Sequence, residues 1–170
     1  SFGLLGGDIR KKALDNQEVY PAYAPQQDDL AAIIFTTGST GPPKGVRYEH
    51  HLFQAQRDLI HDYYGIKAGD VDQPGFPLFA LFSTSLGACA VIPDMDPTKP
   101  ALVDPVKYIN SIEKYGVTYS FGSPAIWNVI ANHCIKKGKQ LHGLKKVLMA
   151  GAPVSGELLG RTRKILTDDA

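Results

Sequence analysis

Residues 31–46 read Ala-Ala-Ile-Ile-Phe-Thr-Thr-Gly-Ser-Thr-Gly-Pro-Pro-Lys-Gly-Val, and the interpretation of the whole chain starts from them. The apolar run at residues 31–35 predicts a buried strand. The loop after it is rich in hydroxyls, glycines and one cation, which are Thr36, Thr37, Ser39, Thr40, Gly38, Gly41, Gly45 and Lys44. Glycines let a backbone turn tightly and present N–H groups to a ligand, and lysine adds a positive charge. The stretch therefore predicts a polyphosphate-binding loop, with an ordinary glycine-rich turn as the alternative.

Two common nucleotide-binding motifs do not fit this loop. The P-loop requires Gly-Lys followed by Ser or Thr, whereas Lys44 follows Pro43 and precedes Gly45. The Gly-x-Gly-x-x-Gly pattern of dinucleotide-binding folds does not occur at the strand end. The order Thr-Thr-Gly-Ser-Thr-Gly-Pro-Pro-Lys-Gly at residues 36–45 instead resembles the signature loop of the adenylate-forming superfamily. That superfamily contains acyl-CoA synthetases, the adenylation domains of nonribosomal peptide synthetases, and beetle luciferases.

Downstream of the loop, apolar runs alternate with helical patterns. A helix is predicted over residues 48–64, and later helices are predicted to begin where a capping residue precedes the pattern, at Asp104, Ser123 and Ser155. Apolar or β-branched runs predict strands at residues 86–92, 117–121 and 146–149. Strands that alternate with helices in this way predict an α/β fold, a mostly parallel sheet flanked by helices.

Further segments resemble the same superfamily in the expected order. Residues 77–79, Pro-Leu-Phe, resemble an element that lines the acyl pocket, and residues 117–126 resemble a Val-Thr strand followed by a proline-started helix. Residues 150–153, Ala-Gly-Ala-Pro, are similar to a turn that flanks adenine, although alone they would indicate only an ordinary βα turn. The resemblance implies that residues 31–170 are the central part of the adenylate-forming N-terminal domain, after an irregular lead-in at residues 1–30.

The resemblance implies an activity in which a carboxylate attacks the α-phosphorus of ATP, giving acyl-AMP and pyrophosphate. Because both partners are anionic, catalysis would consist of charge neutralisation and positioning. Binding of the β- and γ-phosphates is expected from Thr36, Thr37, Gly38, Ser39, Thr40 and Gly41. Thr40 and Lys44 are the expected catalytic residues, and Lys44 would neutralise departing pyrophosphate or order the loop. Adenine is expected beside Gly151, Ala152 and Pro153, and the acyl chain beside Phe79, Ala80 and Ser123.

The implied cofactors are ATP, Mg²⁺ and, in a ligase, CoA. The superfamily's Tyr-Gly-x-Thr-Glu element, whose glutamate helps to hold Mg²⁺, does not occur in this sequence. The aspartate that binds ribose and the lysine of the C-terminal lid domain are also missing. The resemblance therefore implies a fragment that is nearly inactive by itself, with its main Mg²⁺ ligand elsewhere.

Two departures from the superfamily pattern indicate a branch. Ala80 stands where many acyl-CoA synthetases have histidine, and the stretch from residue 80 to 93 is shorter than usual. Together with residues 92–101, this resembles the olefin-biosynthesis branch, the β-lactone synthetases often labelled fatty-acid–CoA ligases. The implied product is a CoA thioester of a fatty or 3-hydroxy fatty acid, or a β-lactone formed from a 3-hydroxyacyl-AMP. A nucleotide-binding fragment without turnover and an unrelated phosphotransferase with a convergent loop remain alternatives.

Composition narrows the range of partners. A net charge of +1 over 170 residues does not indicate a nucleic-acid surface, and without a run of 18 apolar residues no transmembrane helix is expected. Cys89 and Cys134 lie in no Cys-x-x-Cys motif and are predicted to be buried, reduced thiols of a cytoplasmic protein. No histidine and cysteine spacing predicts a metal site. The expected partners are a carboxylic acid and ATP, and sheet edges left unpaired could favour a homo-oligomer.

Overall fold

The computed structural model describes residues 21–36 and 41–167. The chain separates into two compact units, Ser1–Phe53 and Gln54–Ala170. Of the predicted irregular lead-in, residues 21–29 contain no helix or strand, and residues 1–20 lie outside the described part.

Regular elements alternate along the described ranges. The strands are β1 Leu30–Thr36, β2 Lys44–Glu49, β3 Val71–Asp72, β4 Cys89–Ala90, β5 Tyr119–Gly122 and β6 Lys146–Met149. The helices are α1 His50–Tyr64, α2 Ala80–Ser85, α3 Pro105–Tyr115, α4 Pro124–Lys137 and α5 Gly156–Ile165. Short 3₁₀ turns lie at Pro77–Phe79 and Pro100–Leu102.

The first unit contains a β-hairpin. β1 pairs antiparallel with β2, with Phe35 opposite Gly45 and Thr36 opposite Lys44. The predicted strand at residues 31–35 is present, but the prediction that it is buried was wrong, because Ile33 is 56% exposed and Phe35 is 69% exposed. A two-stranded sheet cannot bury its own faces, so apolar composition alone did not decide burial here.

The helix predicted from residue 48 begins later, at His50, because residues 44–49 form β2. Sequence analysis missed this strand, although Val46 and Tyr48 alternate with Arg47 and Glu49 at the period of a strand. Gly65 follows α1 with a φ of 64°, and its N–H donates to the carbonyl of His61 at 2.8 Å. The helix therefore ends at a left-handed glycine.

The second unit is built on a parallel sheet of strand order β4-β3-β5-β6. This confirms the predicted α/β fold. The strand predicted at residues 86–92 shrinks to Cys89–Ala90 at the end of the strand order, so Cys89 is exposed rather than buried. Cys134, on α4, is buried as predicted.

Apolar side chains cover both faces of this sheet. One cluster joins α3, α4 and α5 to Val71, Val147 and Met149, and the other joins Ile66, Ala88 and Tyr119 to Leu148. Alternate residues of β6 enter different clusters because successive side chains of a strand point to opposite faces. Helices on both faces are the arrangement expected of a parallel sheet.

The predicted helix caps are confirmed. Asp104, Ser123 and Ser155 each accept a hydrogen bond from a backbone N–H of the first turn of their helix. Gly116 and Gly138 end α3 and α4 in the left-handed conformation. These local signals position the helices that pack on the sheet.

Replacing Asp104 with Ala tests the first of these caps. The Asp104 carboxylate accepts hydrogen bonds from the N–H groups of Val106 at 2.9 Å and Lys107 at 3.2 Å. Loss of an N-cap is expected to lower the free energy of unfolding by about 1 kcal/mol, measured by urea denaturation. Asn110→Ala, at an exposed position of the same helix, is the control and should not lower stability, since alanine has the higher helix propensity. Equal losses in both variants would contradict the capping role.

Candidate functional site

The carboxyl edge of the parallel sheet is the candidate site. β4 lies on one side of β3 and β5 on the other, so the chain reverses its direction of travel across the sheet between β3 and β5. Loops that leave neighbouring strands at such a reversal diverge and open a crevice, and α/β proteins bind ligands there. The segments that follow β3, β5 and β6 carry six of the predicted site residues, which are Phe79, Ala80, Ser123, Gly151, Ala152 and Pro153.

The predicted acyl-site residues lie on the segments after β3 and β5. Phe79 ends a 3₁₀ turn that runs directly into α2, whose first residue is Ala80. The Phe79 ring packs on Phe121 of β5, with ring centroids 4.1 Å apart. Ser123 follows β5 at once, and its hydroxyl caps α4 by accepting from the N–H of Ile126 at 3.5 Å. The structure thus gives Ser123 a capping role, and its contact with an acyl chain stays a prediction.

The predicted adenine turn follows β6, beside the end of β5. Met149 of β6 is opposite Gly122 of β5, and the N–H of Ala150 donates to the carbonyl of Gly122 at 3.3 Å. Gly151 follows with a φ of 93°, a conformation that favours glycine. The turn Gly151–Pro153 is exposed, so its backbone is accessible to a ligand.

The predicted phosphate loop belongs to the hairpin of the first unit. Both ends of the loop are fixed by strand pairing, because Thr36 lies opposite Lys44. Gly41 and Lys44 are exposed. Gly45 is a strand residue rather than a turn residue, and a Cβ there would lie 3.0 Å from Cγ2 of Ile33. The remaining predicted phosphate ligands, Thr37, Gly38, Ser39 and Thr40, lie outside the described residues.

Polar groups buried around β3 were missed by sequence analysis. On one face, Ser83 of α2 donates a short hydrogen bond to the Asp72 carboxylate. On the other, the Gln73 side chain donates to the carbonyl of Tyr108 at 3.1 Å, and Ser120 donates to the carbonyl of Gln73 at 2.6 Å. The available signal was an acidic residue and an amide, Asp72 and Gln73, shortly before the apolar and aromatic residues 76–82.

Burial changes the acidity of these groups. Burial raises the pKa of Asp72 to about 6, against hydrogen bonds from Ser83 and the Phe121 backbone that lower it. Burial also raises the pKa of Tyr108 to about 12 and raises that of Tyr119. The Oδ1 atom of Asp72 is buried without a hydrogen-bond partner among the described residues. Asp72 is therefore a carboxylate whose ionisation at neutral pH opposes folding.

One group of possible metal ligands lies on the surface of the first unit. Asp28, Glu49 and His51 each offer a ligand atom within 4.8 Å of the others. The Nδ1 atom of His51 lies 3.7 Å from Asp28 and 3.6 Å from Glu49, but also 3.0 Å from the carbonyl oxygen of Gln27. Because the Asp28 side chain is 93% exposed, a solvated surface contact accounts for the arrangement.

A match to a family model confirms the resemblance predicted from the sequence. The family model described as "AMP-binding enzyme" matches residues 5–169.

Across the described ranges, no helix combines the length and apolarity that crossing a membrane requires.

Two relatives and one solved structure show the extent of the similarity. The chain is 49% identical over 143 residues to an olefin β-lactone synthetase of Stenotrophomonas maltophilia, covering 84% of this chain and 25% of that protein. It is 32% identical over 163 residues to a 3-methylmercaptopropionyl-CoA ligase of Ruegeria lacuscaerulensis, covering 88% of this chain and 28% of that one. A long-chain-fatty-acid–CoA ligase of Archaeoglobus fulgidus matches with a TM-score of 0.75 at 23% identity, covering 94% of this chain and 33% of that chain. The chain thus spans about a quarter of the length of the curated relatives it matches.

Replacing Asp72 with Asn tests the ionisation of the buried carboxyl. The folded-state pKa, about 6, lies above the ordinary value, so the folded protein binds this proton more tightly than the unfolded chain does. Wild-type stability from this group is therefore present at pH 4 and lost as the pH rises through 6. Since Asn cannot ionise, the stability of the variant relative to wild type should increase from pH 4 to pH 7.5, by up to roughly 3 kcal/mol.

Urea denaturation at the two pH values measures this difference. Asp94→Asn is the matched control, because Lys107 beside the exposed Asp94 lowers the pKa of that carboxyl and reverses the expected sign. A difference between Asp72→Asn and wild type that does not change with pH would contradict the burial of a titrating group.

Proposed function

Since the chain belongs to the family of AMP-binding enzymes, we propose that it is the acid- and nucleotide-binding part of an enzyme that activates a carboxylic acid with ATP. The chain spans 25% of the length of the β-lactone synthetase, so this activity is proposed for a longer protein. In that protein, residues 31–170 would be the central part of the N-terminal domain, and a C-terminal lid domain would lie beyond them. We place the enzyme in the cytoplasm, where ATP is available.

In the proposed reaction, an oxygen of the substrate carboxylate attacks the α-phosphorus of ATP. The bond to the β-phosphate oxygen breaks, pyrophosphate leaves, and acyl-AMP remains. The loop between Thr36 and Lys44 would hold the β- and γ-phosphates through hydroxyl and backbone N–H groups. The Lys44 ammonium would neutralise the negative charge that develops on the leaving pyrophosphate.

The observation that carries the proposal is the grouping at the carboxyl edge of the sheet. Phe79 packs on Phe121, Ser123 follows that strand, and Ala150, just before the Gly151 turn, is hydrogen-bonded to Gly122. This arrangement supports an acyl chain near Phe79 and Ala80 and an adenine beside residues 151–153. It brings predicted acyl and adenine residues to one edge, as a reaction between the carboxylate and the nucleotide requires.

Mg²⁺ accompanies ATP in such a reaction and would screen the phosphate charges. The described residues do not fit a magnesium site at the sheet edge. The carboxylate that ends β3, Asp72, is buried and bonded to Ser83, whereas hard cations take several oxygen ligands and water. We therefore propose that the main magnesium ligand lies outside this chain.

For the second step, we propose closure of a 3-hydroxyacyl-AMP to a β-lactone. The 3-hydroxyl oxygen would attack the acyl carbonyl, the bond from that carbon to the AMP oxygen would break, and the hydroxyl proton would pass to solvent. The 49% identity to an olefin β-lactone synthetase supports this product and a 3-hydroxy fatty acid as substrate. Transfer to CoA is the second candidate, supported by the 32% identity to a CoA ligase.

Exchange of labelled pyrophosphate into ATP, driven by 3-hydroxy fatty acids in the full-length protein, tests the first step. Lys44→Ala should lower the exchange rate by about 10²-fold, because the developing charge on pyrophosphate would lose its cation. Thr37→Ala should also lower it, and Lys44→Arg should retain more activity than Lys44→Ala because it keeps the charge.

Arg47→Ala is the matched control, since it removes a positive charge from the same strand and should leave exchange unchanged. Absence of exchange with any carboxylate in the wild type would leave only a nucleotide-binding relative. The chain of residues 1–170 alone should form almost no acyl-AMP from ATP and the acid. Robust acyl-AMP formation by this chain would contradict the proposed need for a lid domain.

A further inference from the structure

The segment that carries the predicted acyl-site residues buries no apolar side chain completely, although the half-buried Phe79 ring packs on Phe121. It consists of the 3₁₀ turn Pro77–Phe79 and the six-residue helix α2, and a helix this short is not stable by itself in water. Its two leucines are largely exposed, Leu78 by 43% and Leu81 by 57%, whereas Phe79, Ala80 and Phe82 are half-buried. Contacts with the rest of the fold must therefore hold it in place.

One of these contacts is polar and buried. Among residues 77–85, all of which the structure describes, only Ser83 is buried. Its hydroxyl donates to the carboxylate of Asp72, which is 1% exposed and lies on β3 opposite Tyr119 of β5. Ser83 is four residues after Phe79 and three after Ala80, so it lies one helical turn from both. The hydrogen bond thus connects the sheet to the turn of helix that carries the predicted acyl contacts.

Stability alone does not explain an aspartate at this position. Burial raises the pKa of Asp72 to about 6, so the ionised form opposes folding at neutral pH, and Oδ1 has no partner among the described residues. Replacing a buried ionic group by an apolar or amide side chain of similar size is often neutral or stabilising. A carboxylate accepts a stronger hydrogen bond from a hydroxyl than a neutral acceptor does, which fixes the geometry of the donor more tightly.

We propose that Asp72 is a positioning residue for the acid substrate. Through its hydrogen bond with Ser83, Asp72 holds Phe79 and Ala80 at the carboxyl edge of the sheet. This inference rests on the proposed function, because it assumes that an acyl chain binds beside those two residues. Asp72 does not touch the substrate. It determines how well the acyl site is formed before the substrate arrives, and so the affinity for the acid rather than for ATP.

Acid-dependent exchange of pyrophosphate into ATP, measured in the full-length protein, tests the proposal through two KM values. Ser83→Ala removes the donor and Asp72→Leu removes the acceptor without leaving a charge. Each should raise the KM for the 3-hydroxy acid by about five- to tenfold, with the KM for ATP unchanged. Asp72→Asn keeps a neutral acceptor oxygen and should restore only part of the affinity lost in Asp72→Leu, because a carboxylate accepts the stronger hydrogen bond.

Ser85→Ala is the control, since it removes an exposed hydroxyl from the same helix, one that bonds the carbonyl of Phe82 at 2.8 Å. It should leave both KM values unchanged. A merely structural contact would lower the amount of active enzyme, and hence kcat, and would leave the KM for the acid as in wild type. Urea denaturation gives the folded fraction of each variant. If Ser83→Ala does not fold, the KM for the acid in Asp72→Leu is compared with that in Asp72→Asn, and equal values in these two variants would overturn the proposal.

The outcomes separate this inference from the proposed function. If the wild type catalyses exchange, and Ser83→Ala and Asp72→Leu have the same KM for the acid as the wild type and Ser85→Ala, the positioning role alone would be overturned. No exchange in the wild type with any acid would overturn the proposed function and this inference together.

Discussion

The parallel pairing of β3 with β5 is the interaction on which the rest of the second unit depends. It continues past the end of β3, where the N–H of Gln73 donates to the carbonyl of Tyr119 at 3.1 Å and that of Gly75 to Phe121 at 2.7 Å. Gly75 also lets this segment pass close to α4, because a Cβ there would overlap Cδ1 of Ile126. The extended pairing carries the segment after β3 along β5, and so sets the place of Phe79 against Phe121.

The same pairing explains why polar groups are buried here. Two strands that meet where the chain reverses across the sheet leave backbone and side-chain polar atoms beside the core, and these need hydrogen-bond partners. Ser120 and Tyr108 satisfy the carbonyl of Gln73 on one face, and Ser83 meets Asp72 on the other. Buried hydrogen bonds therefore stabilise the strand end that carries the candidate site, whereas apolar packing stabilises the helices around it.

Sequence patterns predicted what depends on local chemistry. The caps at Asp104 and Ser123 were found because capping needs only a side chain and the backbone beside it. The strand at residues 146–149 was predicted from an apolar run and the α/β class from the alternation of strands with helices, and the resemblance of residues 36–45 led to the AMP-binding family.

The rest depends on pairing and burial, which no local pattern contains. Strand β2 was missed because its loop was expected to lead into a helix, and the exposure of Phe35 depends on which layers cover the hairpin. The role of Asp72 depends on a contact with Ser83, eleven residues away in sequence. The predicted ligands Thr37 to Thr40 lie outside the described residues and stay predictions.

The central claim, that a carboxylate attacks the α-phosphorus of ATP, is tested most directly by following oxygen. The full-length protein would be incubated with ATP and a 3-hydroxy fatty acid labelled with ¹⁸O in its carboxyl group, and the products analysed by mass spectrometry. The account predicts AMP that carries the label, because the bridging oxygen of acyl-AMP stays with the phosphate when the acyl group leaves. Label in inorganic phosphate, together with ADP, would mean attack at the γ-phosphorus and would contradict the account.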